Sequence, residues 1–380
     1  MSVLRVNLCE IKNNFKDVKN LLNNNQKICV VLKANAYGLG SKKICKLLNQ
    51  DADYFAVSSL KEYYEIKTIS QKPILILDPV YDGVEKLLKD GAELTVSNFE
   101  SLNIIDCVSK KLNIKAKVHI AINTGMNRFG FKTKSDILKL ISIIKKSQNI
   151  SVLGVFSHYF SSKNKIFAIY QYFLFNDYVK FFEKNFSKKP IFHLSNSAGV
   201  ELFNGFDMVR VGIKIFDDTK HNTLSLESKI IDIQTLKKGE SAGYEGVFVS
   251  KKTGTKIAIV AIGYADGIFR NIVKEGYVLI NDNYAKIVAI CMDTMLVNVT
   301  DFFARIGDRV LIFGKDKTNQ IFVCDVARWC DTISYEILTH ISKRVKRKYI
   351  MQGEKICKSS QENIEQENLF QLKVKPQDQH

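Results

Sequence analysis

The sequence predicts an α/β fold, with an N-terminal (β/α)8 barrel of the TIM type followed by a mostly β C-terminal domain. Up to about residue 220, eight short apolar runs alternate with segments of helical period. The runs are continuously apolar, as in parallel strands that are buried on both faces. From about residue 225 the pattern changes to β-rich segments between Gly and Asn turns. We expect a barrel over residues 1–224, a β domain over 225–350 and a loose polar extension over 351–380.

The barrel strands follow one another in chain order. They are KICVVLK, YFAVSS, PILILD, AELTVS, KAKVHIAI, SVLGVFSHY, IFHLS and DMVRVGI. Segments such as SKKICKLLNQ and KSDILKLISIIKKS follow these runs and have the period of amphipathic helices. Eight consecutive strand–helix units are what a (β/α)8 barrel requires. Further on, TKIAIVAIGYADG, GYVLINDNYAKIVAICMDTMLVNV and GDRVLIFG supply the strands of the β domain.

Composition excludes several classes of protein. The 380 residues are 46% apolar, which is enough for two cores. Eight cysteines without a CxxC pair argue against a zinc site or a disulfide framework, so we expect no metal and a cytoplasmic location. No apolar run reaches 18 residues, so we expect no membrane association. The net charge of +17 comes from lysines spread along the whole chain, and we expect no nucleic-acid partner.

Five polar residues lie at or just beyond the ends of predicted barrel strands. They are Lys33, Arg128, His158, Ser197 and Arg210. The carboxyl ends of barrel strands carry the active sites of barrel enzymes. Each residue also has a structural interpretation: a rim lysine, a core histidine or an arginine paired with a carboxylate. Five such residues at one rim favour an active site over five separate structural roles.

A lysine at this position can form a Schiff base with an aldehyde cofactor, because partial desolvation favours the nucleophilic amine. Pyridoxal phosphate is the usual partner of such a lysine. The run VRVGIKIF offers the backbone N–H groups of Gly212 and Ile213 for its phosphate, and Ser197 can add a hydroxyl.

Ten motifs occur in the order in which they are found in one family. They are VLKANAYGLG, YFAVSSLKEYYEIK, NTGMNRFGF, GVFSHY, HLSNSAG, DMVRVGI, GYEGVF, IGYADG, CMDTM and DTISYEIL. On these motifs the sequence resembles bacterial alanine racemases over roughly residues 1–350. The resemblance implies a pyridoxal phosphate enzyme that interconverts L- and D-alanine for peptidoglycan. It also implies a homodimer with shared active sites.

The resemblance implies two bases. Lys33 carries the cofactor and serves one face of Cα, while Tyr244 from the neighbouring subunit serves the opposite face. Racemisation needs this second acid or base, since otherwise the proton returns to the face that it left. A tyrosine needs help to act as a base near neutral pH. His158 and Arg210 resemble the supporting residues, with His193 bonded behind Arg210.

The remaining roles also rest on the resemblance. Arg210 would face the pyridine nitrogen of the cofactor, and because arginine only donates hydrogen bonds, that nitrogen would stay unprotonated. Tyr37 and Tyr335 resemble residues that contact the phosphate, together with Ser197, Gly212 and Ile213. Arg128, Tyr264 and Met292 resemble residues near the substrate carboxylate. A pocket closed by tyrosines and a methionine admits a small side chain such as that of alanine.

Two residues near Arg128 depart from the family pattern. Many members have a carboxylated lysine where this sequence has Ala121, and an aspartate where it has Asn123. Arg128 would then lack two anionic neighbours, and an unpaired buried charge is costly. We expect a chloride ion between Arg128 and the amide of Asn123.

Three other functions stay open from the sequence. A racemase of broader or different scope, for example for serine, is compatible with Ala121 and Asn123. A non-catalytic pyridoxal phosphate carrier would need the barrel alone, so the second domain argues against it. Decarboxylases of this barrel type typically have a glycine-rich phosphate loop, and this sequence contains no Gly-Gly pair.

Overall fold

The computed structural model describes residues 2–161, 164–202 and 205–351. Its first elements are strand β1 (Val3–Asn7) and helix α1 (Leu8–Asn20). Asn7 ends the strand and caps the helix, because its side-chain oxygen accepts the N–H groups of Cys9 and Glu10. The chain can therefore pass from strand to helix without a loop.

Eight parallel strands form the barrel-like sheet. They are β2 (Lys27–Val31), β3 (Tyr54–Val57), β4 (Ile74–Ile76), β5 (Glu93–Val96), β6 (Ala116–Ala121), β7 (Ile150–Phe156), β8 (Ile191–His193) and β9 (Met208–Val211). Their order is β8-β7-β6-β5-β4-β3-β2-β9. The Arg210 N–H of β9 donates to the Ser195 carbonyl just after β8, at 3.0 Å, and brings the two edges together. The barrel and all eight strands expected from the sequence are confirmed.

Helical segments alternate with these strands. They are α2 (Lys33–Tyr37), α3 (Ser41–Leu48), α4 (Leu60–Lys67), α5 (Val84–Lys89), α6 (Phe99–Leu112), α7 (Lys134–Lys146), α8 (Lys165–Asn185) and α9 (Ile213–Phe216). Side-chain caps begin several of them: Ser59 for α4, Asn98 for α6 and Thr133 for α7 each accept a hydrogen bond from the first turn. Local sequence therefore sets where the chain leaves each strand end and starts a helix.

A second, larger sheet follows the barrel in the chain. It contains β1 with β10 (Leu224–Leu236), β13 (Thr255–Val260), β14 (Tyr277–Ile280), β15 (Asn283–Ile290), β16 (Met295–Asn298), β17 (Arg309–Lys315), β18 (Gln320–Ile321) and β19 (Lys346–Ile350). The short pair β11 (Ser241–Ala242) and β12 (Phe248–Val249) lies apart from it. The mostly β character expected after residue 225 is confirmed.

Strand β1 lies in this second sheet, antiparallel to β10 and parallel to β19. The first strand of the chain thus joins the later part of the fold, although we expected residues 1–224 to form one domain. The boundary near residue 224 coincides with the start of β10 and stays a prediction. Helices α10 (Val323–Trp329) and α11 (Ser334–His340) complete this part, and α11 packs against α2.

In the described ranges no helix is both long enough and apolar enough to cross a lipid bilayer. The expected C-terminal extension, residues 351–380, lies outside the described residues except for Met351.

Candidate active site

Lys33 is the second residue after the end of β2, and the Lys33 side chain is half-buried. Burial is the largest cause that lowers the pKa of Lys33, followed by the positive charge of Arg128. Asp78 and Glu62 act in the opposite direction without cancelling the decrease. A lowered pKa raises the population of the neutral amine, which is the nucleophilic and basic form of lysine.

The four residues after Lys33 form a left-handed turn. Ala34, Asn35, Ala36 and Tyr37 have φ angles between 51° and 56°. This conformation costs about 1–2 kcal/mol for each non-glycine residue, and strain of this kind persists only where the surroundings hold it. The turn reverses the chain immediately after the lysine, so that Tyr37 comes to lie beside the end of β9.

Glu62 of α4 holds the start of this turn. One of its carboxylate oxygens accepts the Ala34 N–H at 2.7 Å, and the other accepts the Ser58 N–H at 2.8 Å. The turn is also held at its far side, where the Asn35 side chain accepts the Ser41 N–H at 2.9 Å. Glu62 therefore ties the strained segment to the neighbouring strand–helix unit.

Four predicted phosphate-contacting residues lie together: Tyr37, Ser197 and Gly212 follow β2, β8 and β9, and Tyr335 lies on α11. A Cβ atom on Gly212 would lie 2.2 Å from the Tyr37 hydroxyl oxygen, so only glycine leaves room for the Tyr37 ring. The Tyr37 and Tyr335 rings are in edge contact at 5.7 Å. Burial raises the pKa of both tyrosines, which keeps their hydroxyl groups protonated as hydrogen-bond donors. Ser197 is buried beside Gly212.

One expected phosphate donor has another partner. The Gly212 N–H donates to Ser197 Oγ at 2.9 Å, and its expected role as a phosphate donor stays a prediction. Ile213 begins α9, and the first N–H groups of a helix have no acceptor within the helix. The Ser197 hydroxyl keeps its own hydrogen for donation. The cradle therefore offers hydroxyl groups and the Ile213 N–H, while Gly212 makes room for the Tyr37 hydroxyl.

Arg210 lies inside the barrel with 4% of its surface exposed. Its Nη1 atom donates to His193 Nδ1 at 2.7 Å, and its Nη2 atom donates to the Ser157 carbonyl at 2.6 Å. The Phe156 ring covers the guanidinium at 5.3 Å. Burial lowers the pKa of Arg210 to about 10, so the side chain is still a cation near neutral pH.

His158 lies between Arg210 and Asn196. The Asn196 amide has a fixed orientation, because its oxygen accepts the Gly199 N–H and its nitrogen donates to the Tyr159 carbonyl. The same nitrogen faces His158 Nε2 at 3.1 Å, which assigns the proton of the neutral ring to Nδ1. The contact from Arg210 to His158 Nδ1 is long, at 3.4 Å. Burial, assisted by Arg210, lowers the pKa of His158 to about 3, so the ring is neutral near pH 7.

Arg128 is exposed in the loop after β6 and stacks on the Phe129 ring at 4.8 Å. The Asn123 side chain organises this loop: its oxygen accepts the N–H groups of Gly125 and Asn127, and its nitrogen donates to the Asn127 side chain at 3.2 Å. A small cavity of about 20 Å³ lies here. Ala121, Asn123, Arg128 and Phe129 are among the residues that line it.

Tyr244, Tyr264 and Met292 lie on the C-terminal domain with large exposed surfaces. Two backbone hydrogen bonds connect the loops of Tyr264 and Met292. In the described part of the chain, no hydrogen bond, ion pair or ring contact joins these three residues to the barrel residues named above. A cavity of about 440 Å³ opens beside Tyr244, with Arg270 and Ile290 in its lining.

Sequence reasoning did not select Glu62, Asn196, Glu93 or His119, all of which contact site residues or their partners. The signals are visible in retrospect. Glu62 is the last residue of a Ser-x-x-Glu helix start, and Asn196 lies inside the HLSNSAG motif. Glu93 and His119 are polar residues within apolar strands.

Comparison with known proteins agrees with this architecture. The family model described as alanine racemase, N-terminal domain, matches residues 6–220, and the model for the C-terminal domain of the same family matches residues 223–349. Alanine racemase 2 of Caldanaerobacter subterraneus is 32% identical in an alignment of 371 residues that covers 92% of this chain and 95% of the relative. Alanine racemase of Methanococcus maripaludis is also 32% identical, over 91% of this chain and 97% of its own.

Solved structures of the family have the same fold. Alanine racemase of Clostridium difficile 630 superposes with a TM-score of 0.83 at 31% identity, covering 92% of this chain and 96% of its own. Alanine racemase of Bacillus anthracis with bound L-Ala-P has a TM-score of 0.84 at 26% identity, covering 94% and 96%. Because two family models together match nearly all of the described residues, this chain belongs to the alanine racemase family.

Proposed function

We propose that this protein is an alanine racemase that uses pyridoxal phosphate to interconvert L- and D-alanine. The observation that carries the proposal is the convergence of Lys33, Arg210 and His158 at one end of the barrel, in a chain of the alanine racemase family. A racemase of different scope, for example for serine, is not favoured, because relatives from several species are named alanine racemase.

The residues at the barrel end fit pyridoxal phosphate, which the family uses. The Tyr37 hydroxyl fills the space in front of Gly212, and burial keeps the hydroxyl groups of Tyr37 and Tyr335 protonated. Protonated hydroxyl groups and a backbone N–H are hydrogen-bond donors, as a phosphate requires. Lys33 would bind the aldehyde carbon and Arg210 would face the ring nitrogen. The phosphate contacts would come from Tyr37, Ser197, Ile213 and Tyr335, with Gly212 leaving room.

When bound, pyridoxal phosphate withdraws electron density from Cα of an attached amino acid and makes its hydrogen acidic. Once the amino group of the substrate has replaced Lys33 on the aldehyde carbon, the freed Lys33 Nζ would take the Cα proton on one face. The lowered pKa of this lysine favours the neutral amine that this proton transfer requires. The Tyr244 hydroxyl would exchange a proton on the opposite face. Transfers on opposite faces invert the configuration.

Arg210 would set the reaction outcome. A guanidinium donates hydrogen bonds and does not accept them, so it holds the facing ring nitrogen without giving up a proton. This weakens the withdrawal of electrons from the substrate, which favours simple proton exchange over side reactions. His158 is neutral near pH 7 and is available as a hydrogen-bond partner for Tyr244.

We also propose a homodimer in which each site uses residues of both chains. Tyr244, Tyr264 and Met292 are exposed in this chain, where a side chain that serves as a base or closes a pocket would need cover. The 440 Å³ cavity beside Tyr244 gives this face a concave surface for a partner chain. In the dimer, Tyr264 and Met292 would lie near the substrate and restrict its side chain to a methyl group.

Arg128 would bind the substrate carboxylate with help from a chloride ion. The short side chain of Ala121 leaves the cavity of about 20 Å³ beside Arg128, which is enough for one water molecule or small ion. Asn123 Nδ2 uses one hydrogen for Asn127, and its second hydrogen can point to the ion. In this chain Arg128 is exposed, so the desolvation that favours an ion would come from the partner chain.

We further propose a cytoplasmic location and a role in supplying D-alanine for peptidoglycan. The seven cysteines in the described ranges have free thiols, as is usual in a reducing compartment.

One experiment tests the reaction, the substrate and the cofactor lysine together. The purified protein with pyridoxal phosphate is incubated separately with L-alanine, L-serine and other L-amino acids, and the products are separated by chiral chromatography. We expect D-alanine as the main product. Borohydride treatment followed by peptide mapping should place the cofactor on Lys33. A label on a different lysine, or release of carbon dioxide, contradicts the proposal.

A further inference from the structure

A row of four polar side chains crosses the barrel interior. Glu93 Oε2 lies 2.8 Å from His119 Nε2, His119 Nδ1 lies 2.9 Å from His193 Nε2, and His193 Nδ1 lies 2.7 Å from Arg210 Nη1. All four residues are at most 4% exposed. They come from β5, β6, β8 and β9, so the row connects distant strands of the sheet.

The two ends of this row fix the position of every proton in it. Arginine only donates, so His193 Nδ1 must accept and His193 Nε2 must carry the hydrogen. His119 Nδ1 then accepts that hydrogen, and His119 Nε2 carries its own. The carboxylate of Glu93 only accepts, which agrees with the direction imposed by Arg210 from the other end. Both histidines are therefore neutral Nε2–H tautomers.

The surrounding chain is adapted to this row. A Cβ atom on Gly154 of β7 would lie 2.2 Å from His119 Nδ1, so glycine makes room for the ring. The register between β6 and β7 shifts at Val118 and His119. The Phe156 ring stacks on His193 at 5.0 Å and also covers the Arg210 guanidinium. A buried polar row in which every nitrogen has a partner holds its members in a single arrangement.

We infer that Glu93 and His119 are positioning residues for Arg210. Through His193 they fix which atoms of Arg210 are engaged inside the barrel, and so which edge of the guanidinium faces the site. Glu93 also supplies a negative charge that compensates the buried cation across three hydrogen bonds. This inference rests on the proposed function for its effect on turnover, but its structural part can be measured without substrate.

Three variants separate positioning from simple stability. Glu93→Met has nearly the same volume but no acceptor. Arg210 still requires the Nε2–H tautomers, so His119 Nε2–H is left without a partner and the His119 ring is held at one end only. Glu93→Gln keeps an acceptor oxygen and should preserve the direction of the row. Thr95→Val is the matched control: Thr95 lies two residues along the same strand, is fully buried, and donates one hydrogen bond to the Ile76 carbonyl.

The tautomers are read from ¹⁵N shifts of the imidazole nitrogens in the full chain with pyridoxal phosphate, where only six histidines contribute signals. We expect Nε2–H tautomers for His119 and His193 in all four proteins, because Arg210 sets them. The wild type, Glu93→Gln and Thr95→Val should each give one sharp set of Nε2 signals, whereas the His119 and His193 Nε2 signals should be shifted or doubled in Glu93→Met, where the His119 ring is no longer held at both ends. In Glu93→Met, kcat for alanine should fall about tenfold or more, as for outer partners of functional histidines. KM should change little, because Glu93 is far from the substrate, and Glu93→Gln should recover most of kcat.

Wild-type Nε2 signals and wild-type kcat in Glu93→Met, or a lower melting temperature like that of Thr95→Val with normal kcat, would overturn the inference. A wild-type protein that converts no amino acid, but in which Glu93→Met shifts or doubles the His119 and His193 signals, would overturn the proposed function and leave the positioning of Arg210 standing.

Discussion

Tyr244 combines an exposed hydroxyl with a proposed role as one of two bases. Removing that hydroxyl in Tyr244→Phe should lower the racemisation rate by roughly 10²–10⁴, the range for loss of a general acid or base. Lys33 still serves its own face, so one enantiomer should continue to exchange its Cα hydrogen in deuterated water. Racemisation is measured by chiral chromatography and exchange by mass spectrometry.

Tyr284→Phe is the control for that change, because Tyr284 lies in the same domain and its exposed hydroxyl bonds only the Gln320 carbonyl in the described chain. It should leave the rate unchanged. Wild-type turnover in Tyr244→Phe would remove Tyr244 from the mechanism.

The second prediction at the residue scale concerns Ala121, whose short side chain lines the cavity beside Arg128. If chloride occupies the cavity beside Arg128, replacing chloride by a bulky anion at constant ionic strength should raise KM for alanine by about fivefold, since one such ion pair contributes about 1 kcal/mol. Constant ionic strength keeps ordinary screening the same. In Ala121→Val, which fills the cavity, the anion should no longer matter. If the wild type shows the same KM in both salts, no halide is needed there.

At the scale of elements, the left-handed turn of α2 depends on a neighbouring helix. In Glu62→Gln the side chain keeps one acceptor oxygen, but its NH2 group would face a backbone N–H that loses its partner. A hydrogen bond to a charged group contributes about 1.5–3 kcal/mol, and one such bond would be lost. We expect weaker binding of pyridoxal phosphate by about tenfold, measured by titration of the cofactor absorbance.

Glu65→Gln changes the same residue type three positions further along α4 and should bind the cofactor normally. Equal affinities for the Glu62→Gln and Glu65→Gln proteins would mean that the turn holds without the carboxylate.

The junction of α10 with the barrel contains a titrating carboxylate. Asp218 is buried and accepts the Val323 N–H, and burial raises the pKa of Asp218 from 3.8 to about 6. The folded state therefore binds the Asp218 proton more tightly than the unfolded chain does. Protonation of Asp218 stabilises the fold below pH 4, and this contribution is lost as the pH rises through 6. A rise from 3.8 to about 6 corresponds to about 3 kcal/mol at most.

Asp218→Asn keeps an acceptor oxygen for Val323 and removes the titration. The melting temperature of Asp218→Asn minus that of the wild type should therefore become more positive as the pH rises from 4 to 7. Asp177→Asn, at an exposed position of α8, should show no such trend. A pH-independent difference between Asp218→Asn and the wild type would contradict the argument.

The strand ends were the most predictable elements, because continuous apolar runs mark buried parallel strands and the barrel rule then groups the residues that follow them. Lys33, His158 and Arg210 were found in this way. The left-handed turn is not predictable in this way, since Ala34 and Ala36 have no preference for positive φ and the conformation is held by contacts with Glu62 and Ser41. Glu93 and His119 were missed for a similar reason: their partners come from other strands, and pattern along one strand does not show them.

At the scale of the whole molecule, the proposed shared sites predict complementation between chains. Lys33→Ala and Tyr244→Phe proteins are each expected to be inactive. Mixed in equal amounts under conditions that allow exchange, half of the dimers contain both chains, and one of the two sites in each has both bases. About a quarter of the wild-type activity should return.

A chain carrying both substitutions, mixed with Lys33→Ala, provides no complete site and should recover nothing. Continued inactivity of the first mixture, with subunit exchange proven by mass labels, would place both bases in one chain.

Strand β1 pairs with residues 224–227 on one side and 346–350 on the other, so its partners lie more than two hundred positions away. During synthesis at about 5–20 residues per second, its first partner emerges roughly 10–40 s after it. All eight barrel strands are made in that interval. The barrel can therefore assemble while β1 is still unpaired. Strand β1 first pairs with β10, and its other edge stays open until residues 346–350 are made, so the earliest strand of the sheet is held on both sides only after all the others have been synthesised.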